Sequence, residues 1–244
     1  MAGTIRIGTA GWTLAPPEQH RFPAGGSHLE RYAQVFDACE INSSFHRPHQ
    51  PATYERWAQA VPPGFGFSVK LPKAMTHERR LADCEPLLRT FFDQAGALGD
   101  RLRHLLVQLP PSLAFDEAVA GDFFDVLAAL RPEPVALEPR HASWFTPGVD
   151  GWLEQRRISR VLADPVRHGA GRSPGGWPRS IYLRLHGSPR TYTSPYDEPT
   201  LQALARRLRL AAEDGVDTWC IFDNTARGAA TGNALRLREL LGQT

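Results

Sequence analysis

The chain has 244 residues, a formal net charge of +2 and a hydrophobic content of 42%. The length allows one large domain or two small ones, and the composition is typical of a globular protein; the order of predicted elements below favours one domain, residues 1–244. The charge is too small to indicate nucleic acid as a partner, no apolar run is long enough to cross a membrane, and the N-terminus does not resemble a secretion signal.

Eight short apolar segments, each ending in polar residues, predict eight β-strands. They are residues 4–9, 38–45, 65–72, 104–111, 134–141, 159–165, 180–187 and 218–224. Between most of them apolar residues recur at helical spacing, as in 123–130, 201–211 and 237–241, and segments 51–60 and 150–157 predict shorter helices. We expect Asp83 and Asp122 to cap helix N-termini.

Strands that alternate with helices, eight times over this length, predict a single α/β domain of the (β/α)8 TIM-type barrel class. The alternative is a doubly wound sheet, but no Gly-x-Gly-x-x-Gly motif follows the first strand. The segment 167–179 is rich in Gly and Pro and lies between two predicted strands. It is predicted to be a surface loop that replaces one helix of the barrel.

The alternation of side chains along the strands predicts a charged barrel interior. In 180–187, apolar residues alternate with Tyr182, Arg184 and His186, and one parity of a barrel strand faces the axis. The expected interior set is Arg6, Glu40, Lys70, Glu138, Arg184 and His186. Because an unpaired buried charge is strongly unfavourable, these groups must pair, bind a ligand or lie at a wet mouth. An ion network that only stabilises the fold is the alternative to a functional site.

Several polar residues fall at the C-terminal ends of the predicted strands, the face that carries the active site in (β/α)8 barrels. They are Lys70, Gln108, Glu138, Arg140, Asp164, His186 and Asp223. A set of Lys, Glu, Asp and His is typical of acid–base catalysis. Only two of the 28 Lys and Arg residues are lysines, Lys70 and Lys73. Since burial shifts the pKa of an amine readily, Lys70 is predicted to be a general base or Schiff-base amine, and Lys73 a loop cation.

The loops after these strands combine arginines with aromatic residues, which favours a planar or phosphorylated ligand. A small anionic molecule is therefore the expected partner, with Lys70, Glu138 and His186 as the catalytic residues. The predicted substrate-binding residues are Trp12, Glu40, Asn42, Gln108, Arg140, His141, Trp144, Asp164, Arg184, Tyr192, Asp223 and Asn224. For Trp12 and Trp144, packing of loops onto the barrel rim is the alternative. A hydrolase, a lyase or an isomerase would fit this set.

No cofactor is predicted and no metal ligand is assigned. The carboxylates and His186 would suit Mg, Mn or Zn, but Lys70, Arg140 and Arg184 compete for the same carboxylates. Two alternatives stay open: a divalent-metal-dependent barrel similar to the sugar isomerase and endonuclease group, and a non-catalytic nucleotide or nucleic-acid binder. Nucleic acid is not favoured, because the net charge is close to neutral. Three widely spaced cysteines indicate no disulfide framework and favour the cytoplasm.

Seven motifs carry a family resemblance. They are "IRIGTAGW", "EINSSFHRPHQPATYERW", "GFGFSVKLPKAMTH", "LLVQLPPSL", "ALEPRHASW", "YLRLHG" followed by "YTSPYD", and "IFDNTARGAATGNA". Together, from residue 5 to about 237, they resemble the bacterial and archaeal "domain of unknown function 72" family. The resemblance implies a single (β/α)8-type barrel and brings no established reaction. By position, the family's recurrent residues correspond to Gly8, Trp12, Glu40, Asn42, Lys70, His77, Gln108, Glu138, Arg140, His141, Trp144, Arg184, His186, Gly187, Tyr192, Asn224 and Asn233.

Overall fold

A computed structural model describes residues 2–131 and 134–243, so residues 1, 132, 133 and 244 of the predicted domain lie outside it. The described chain forms one ten-stranded sheet in the order β7-β9-β10-β1-β2-β3-β4-β5-β6-β8. The strands are β1 (Ile5–Ala10), β2 (Ala38–Ile41), β3 (Gly66–Lys70), β4 (Leu102–Gln108), β5 (Val135–Glu138), β6 (Ile158–Arg160), β7 (Leu162–Asp164), β8 (Gly175–Gly176), β9 (Ser180–Leu185) and β10 (Asp217–Phe222). Every neighbouring pair is parallel except β6 with β8.

The sheet closes into a barrel through one short stretch of chain. β6 pairs with β5, whereas β7 begins two residues after β6 ends and pairs with β9. The predicted sixth strand, 159–165, is therefore two segments that join opposite sides of the ring. Eight strand positions result, as in a (β/α)8 barrel, which confirms the predicted fold class. The predicted loop 167–179 contains a helical turn and β8, which adds to the outside of β6.

Helices follow most of the strands. Within the described ranges they are α1 (His28–Tyr32), α2 (Pro51–Gln59), α3 (Glu85–Ala95), α4 (Glu117–Leu130), α5 (Pro147–Gln155), α6 (Glu198–Glu213) and α7 (Ala229–Leu241). Shorter helical turns occupy Pro16–Arg21, Ser43–Phe45, Ala74–Glu78, Gly96–Arg101, Ala142–Trp144 and Gly169–Arg172. In these described ranges, no helix combines the length and apolar character needed to span a bilayer.

The two predicted helix caps were wrong. Asp122 lies inside α4, whose N-cap is Asp116, with a carboxylate that accepts hydrogen bonds from the backbone of Ala118 and Val119. Asp83 precedes Cys84, the N-cap residue of α3, and no side chain caps that helix. Asp83 is the aspartate that lies just before α3, one residue short of its N-cap. For α4, which the apolar spacing of 123–130 predicted, both Asp116 and Asp122 precede the apolar run. Local sequence alone did not distinguish which aspartate reaches the free N–H groups.

Two apolar layers hold the barrel together. The larger layer lies between the sheet and the helices and includes Phe67, Val69 and Leu183. The smaller one fills the interior below the mouth with Ala38, Leu106, Ala136, Val161, Tyr182, Trp219 and Ile221. The strand parity predicted for 180–187 is thus observed, since Leu183 packs outward and Tyr182 inward. Above the inner layer, the same parity brings Arg184 and its polar neighbours to the C-terminal mouth.

Candidate functional site

The C-terminal ends of seven parallel strands bring the polar cluster together. Lys70, Gln108, Glu138 and Asp164 are the last residues of β3, β4, β5 and β7. His186 and Asp223 directly follow β9 and β10, and Glu40 and Arg184 lie one residue or more inside β2 and β9. The predicted convergence of strand ends at one face is therefore observed for these residues. Except for that of Asp164, these side chains are buried and lie on the strand parity that faces the barrel axis; Asp164 is in register with the outward-facing Leu185.

Arg184 is the centre of this cluster and is completely buried. Its Nε and Nη2 donate to Glu40 over 3.0 and 2.6 Å, and Nη2 also donates to Asp223 over 2.8 Å. Nη1 donates to Glu138 over 2.6 Å and to Nε2 of His186 over 3.0 Å. All five guanidinium N–H groups thus have protein partners. Arg184 has no donor left for a substrate anion, so its place in the predicted substrate-binding set does not correspond to a direct contact.

The hydrogen bonds of His186 define its protonation. Its Nε2 accepts from Arg184, and its Nδ1 lies 3.2 Å from the carbonyl oxygen of Asp164, which can only accept. These partners assign the neutral tautomer with the proton on Nδ1. Burial lowers the pKa of His186, which also favours the neutral form. In this arrangement His186 orients Arg184 instead of presenting a proton at the mouth, the role predicted from sequence.

Glu138 and Asp223 have opposite electrostatic environments. Burial by itself raises the pKa of Glu138, but the positive charges of Arg184 and Arg140 outweigh it and hold that pKa well below the usual range. Glu138 also accepts from Gln108 over 2.8 Å and from Arg140 over 3.2 Å. Burial raises the pKa of Asp223, and the single partner Arg184 does not offset it. Glu138 is therefore a fixed anion, whereas Asp223 is a carboxyl group that can take up a proton.

Lys70 is an almost completely buried amine beside this cluster. Its exposed fraction is 8%, and its Nζ lies 4.0 Å from the centre of the Phe45 ring. Burial, and next the positive charge of Arg184, lower its pKa to about 8. The carboxylates of Glu138 and Asp223 act in the opposite direction and keep the shift from being larger. With this pKa, part of Lys70 is neutral near physiological pH, and its role as a general base or Schiff-base amine stays a prediction.

A narrow pocket of about 30 Å³ opens above Glu138 and His186. Its wall includes Arg140, Arg167 and Tyr192. The volume equals that of roughly one water molecule in the liquid.

The loop that carries Tyr192, residues 187–196, lies over the mouth and is anchored at its base. Gly187 has φ +96°, and a Cβ there would lie 2.7 Å from the carbonyl oxygen of Ser194, so glycine is required. Asn233 accepts from the backbone N–H of Tyr196 over 3.0 Å and donates to its carbonyl over 3.1 Å. The hydroxyl of Tyr196 donates to Asp164 over 2.7 Å. Asp164 therefore holds the loop, and its carboxylate does not face the pocket as a free group.

The structure separates several predicted site residues from the cluster. Trp12 packs against Trp57 and Phe67, and buried Trp144 donates from its indole N–H to the carbonyl of Leu113. His141 accepts from the backbone of Ser143, where it caps a helical turn.

Asn224 donates to the carbonyl of Ser194 and to Asn233, so it belongs to the anchor of the loop. Asn42 precedes the turn Ser43–Phe45. Arg6 lies at the opposite end of the barrel, near Trp219, and does not join the Glu40–Arg184 network.

The cluster fits a guanidinium better than a metal ion. Arg184 occupies the point where Glu40, Glu138 and Asp223 converge, so a divalent cation there would have to displace it. Across residues 2–131 and 134–243, no group of three or more His, Cys, Asp or Glu side chains is arranged to hold a metal.

Three residues of the site were not among the predicted ones. Tyr182 donates its hydroxyl to Glu40 over 2.9 Å, Phe45 covers the amine of Lys70, and Arg167 lines the pocket. The parity of strand 180–187 signals Tyr182. Phe45 and Arg167 lie in turns, where no periodicity indicates which way a side chain points.

The comparisons with known proteins agree on one family. The family model described as "Protein of unknown function DUF72" matches residues 6–244. The UPF0759 protein YunF of Bacillus subtilis (strain 168) is 23% identical over 97% of this chain and 94% of its own length. The UPF0759 protein YecE of Escherichia coli (strain K12) is 28% identical over 57% of this chain, and the chain spans about half (53%) of that relative.

Two solved structures share the fold. A DUF72 family protein from Enterococcus faecalis V583, EF0366, superposes with a TM-score of 0.80 at 19% identity, covering 99% of this chain and 96% of that one. A second, TM1631 from Thermotoga maritima MSB8, gives a TM-score of 0.76 at 24% identity, covering 98% and 99%. At these identities the likeness concerns the fold alone. The match of the family model to nearly the whole sequence nevertheless establishes that this chain belongs to the DUF72 family.

Proposed function

We propose that the protein is an enzyme that acts on a small anionic substrate by acid–base chemistry at the C-terminal mouth of the barrel. The observation that carries the proposal is a buried amine with a pKa lowered to about 8, Lys70, beside a cluster of three carboxylates joined to one arginine. Perturbed titratable groups gathered in a cleft are typical of active sites. The C-terminal face is where barrel enzymes carry theirs.

When the charges of the cluster are balanced, Lys70 and Asp223 are left to share one ionisable proton. Arg184 and Arg140 balance two carboxylates, Glu40 and Glu138. What remains is Lys70 and Asp223, whose pKa values move towards each other because burial disfavours the charged form of each. An ammonium with a carboxylate and an amine with a carboxylic acid then carry the same net charge. The pair can therefore exchange one proton with a substrate without leaving a net charge in a low-dielectric site.

The proposed roles follow from this balance. The neutral amine of Lys70 takes a proton from the substrate, and the carboxylic acid of Asp223 donates one to it, so that the pair ends as ammonium and carboxylate. Glu138 remains ionised and holds Arg140 and Arg184 in place. A lyase or an isomerase that moves a proton next to a carboxylate or carbonyl group fits these roles directly. A hydrolase fits if water is the group that Lys70 deprotonates.

Two guanidinium groups support an anionic substrate. Arg140 and Arg167 line the pocket, and guanidinium groups bind carboxylate or phosphate in a bidentate manner. Arg184 is not assigned to the substrate, because its donors are all engaged. The small volume of the closed pocket favours a substrate of a few carbon atoms, bound after the loop 187–196 opens.

A thermal-shift screen tests this proposal. Wild-type protein, Arg140→Gln and Lys70→Met are heated with small carboxylates, sugar phosphates, divalent cations and a single-stranded oligonucleotide. A ligand of the folded state raises the midpoint by mass action, so we expect a shift with one class of small anion, reduced in Arg140→Gln. Lys73→Arg is the control, since Lys73 is exposed and pairs with Glu78, and it should respond like the wild type.

The other outcomes contradict the proposal in distinct ways. Stabilisation by divalent cations alone would favour the metal-dependent alternative. Stabilisation by the oligonucleotide alone, weakening steeply with salt, would favour a nucleic-acid binder. The absence of any shift, together with a large loss of stability in Lys70→Met, would make the cluster an internal ion network.

A further inference from the structure

A second and larger cavity lies at the opposite end of the barrel, where the strands begin. Its volume is about 690 Å³, within the range of small-molecule binding sites. It is formed around the first residues of β4, β5, β6, β9 and β10 and by the side of α4. The proposed active site lies at the other face, so the inference drawn from this cavity does not depend on it.

The cavity is strongly basic. Six arginines line it: Arg6, Arg103, Arg131, Arg156, Arg157 and Arg179. The described lining contains two carboxylates, and both have partners. Asp217 accepts from the backbone N–H and the hydroxyl of Thr4 over 2.8 and 2.7 Å, and Asp125 lies 3.5 Å from Arg156. Arg103 and Arg179 are exposed and form no ion pair with any described carboxylate. Arg6 contacts Asp37 and Arg156 contacts Asp125, so the argument for an anionic ligand rests on the exposed guanidinium groups of Arg103 and Arg179.

The floor of the cavity contains a buried imidazole that forms no hydrogen bond with the part of the chain that the structure describes. His104 is 95% buried (5% exposed), and neither of its ring nitrogens has a hydrogen-bond partner among the described residues. Burial lowers its pKa to about 3, so it is neutral, with one donor and one acceptor nitrogen. Buried polar groups are normally hydrogen-bonded. An imidazole left unpaired on a cavity floor therefore points to a ligand with a polar edge.

Aromatic rings and an apolar wall complete the lining. The ring of Trp219 lies 4.8 Å from that of His104, and Trp177 lies near the rim beneath Arg157, at 5.6 Å. Phe124, Leu127 and Ile158 form an apolar side. A planar ring can pack between these groups, while a charged end reaches the arginines.

We propose that this cavity binds a nucleotide, with the base against the aromatic floor and the phosphates on the arginines at the rim. The arginines, the unpaired imidazole and the aromatic rings together select a molecule that carries a multiply charged anion, a polar edge and a planar ring. Inorganic phosphate has no ring, and a nucleoside has no charge, so neither engages all three.

Isothermal titration calorimetry of the whole protein with ADP, adenosine and pyrophosphate tests the proposal. ADP should bind more tightly than either fragment. Arg103→Gln and Arg179→Gln should each weaken ADP binding about tenfold, the effect of losing one charge-assisted hydrogen bond. His104→Phe should weaken ADP and adenosine but not pyrophosphate. Arg207→Gln, an exposed arginine on α6 outside the cavity, is the control and should bind like the wild type.

Several results would overturn the nucleotide site. They are the absence of ADP binding at millimolar concentration, an equal loss in Arg207→Gln, and pyrophosphate that binds as tightly as ADP. Tight binding of a single-stranded oligonucleotide with no binding of ADP would also refute it. If ADP binding is abolished by Arg140→Gln and unaffected by Arg103→Gln, the nucleotide belongs to the C-terminal mouth, and the present inference fails while the proposed function stands.

Discussion

At the scale of single residues, Arg184 is the side chain on which the candidate site depends. Four residues from four different strands, Glu40, Glu138, His186 and Asp223, accept its five N–H groups. Without it, three carboxylates would converge in a buried space with too few cations to balance them. Its role is therefore both structural and electrostatic, since it fixes the carboxylates and lowers the pKa of Lys70.

Replacing Arg184 by Met should strongly destabilise the protein. Breaking a buried ion pair on one side leaves uncompensated charge, and the expected loss is about 3–5 kcal/mol. Urea unfolding at neutral pH measures it. Arg236→Gln is the comparison, because its ion pairs with Glu198 and Glu239 are exposed and should contribute little. Similar stabilities of the two variants would mean that the cluster is not the buried network described.

His104 predicts a pH dependence of stability at the other end of the barrel. Its pKa falls from 6.5 to about 3 on folding, so the unfolded state binds the proton first as the pH is lowered. The stability it contributes is complete above pH 6.5 and is lost as the pH falls towards 3. Relative to His104→Phe, the wild type should lose up to about 1.4 kcal/mol per pH unit between pH 6 and pH 4. Denaturant midpoints at several pH values measure this, and parallel profiles of the two proteins would contradict it.

The sequence predicted the position of Lys70 in the site but not the hydrogen bonding of Arg184. That Lys70 is buried at a strand end follows from strand parity and from its place at the end of an apolar run. That Arg184 is saturated, and therefore unavailable to a substrate, depends on four strands separated by up to 183 positions (Glu40 to Asp223). No local pattern in the sequence contains this information, because hydrogen-bond saturation is a property of three-dimensional convergence.

At the scale of elements, the strands were predictable and the turns were less so. The apolar runs identified all eight barrel positions, since a strand that is buried on both faces has a composition unlike that of its flanks. The division of 159–165 into β6 and β7 was missed, because it arises from the closure of the ring around Val161. The helix caps were misassigned because the exact first residue of a helix is not fixed by sequence: both Asp116 and Asp122 precede the apolar run of α4, and Asp83 lies one residue before the N-cap of α3.

The loop 187–196 provides a prediction at this scale. Asn233 makes two hydrogen bonds with the backbone of Tyr196 and accepts a third from Asn224, so Asn233→Ala should release the loop. Hydrogen–deuterium exchange should become faster at residues 188–196, with a global loss of about 1–3 kcal/mol for the unpaired groups. Thr193→Ala removes an exposed hydrogen bond within the same loop and is the control. Equal exchange in both variants would show that Asn233 does not anchor it.

At the scale of the whole molecule, the barrel presents two chemically different ends separated by an apolar layer. The C-terminal mouth contains nearly balanced charges in a narrow pocket, whereas the opposite end has a wide cavity lined by arginines. Tyr182 is the residue that spans the layer, since its hydroxyl reaches Glu40 while its ring stacks 6.2 Å from Trp219. Although the net charge of the chain is small, positive charge is concentrated at one end of the barrel, and the composition alone does not show this.

Acid–base chemistry at the mouth of the barrel requires a Lys70 that loses its proton near neutral pH, and the pKa of this amine can be measured directly. In Lys73→Arg, Lys70 is the sole lysine, so its acylation rate can be followed against pH by mass spectrometry of the peptide that contains it. We expect an apparent pKa of about 8 in the folded protein, and a return to the ordinary value of about 10.4 after unfolding. A pKa near 10.4 in the folded protein would contradict the account, because Lys70 would then be a permanently charged member of an ion network and not an acid–base group.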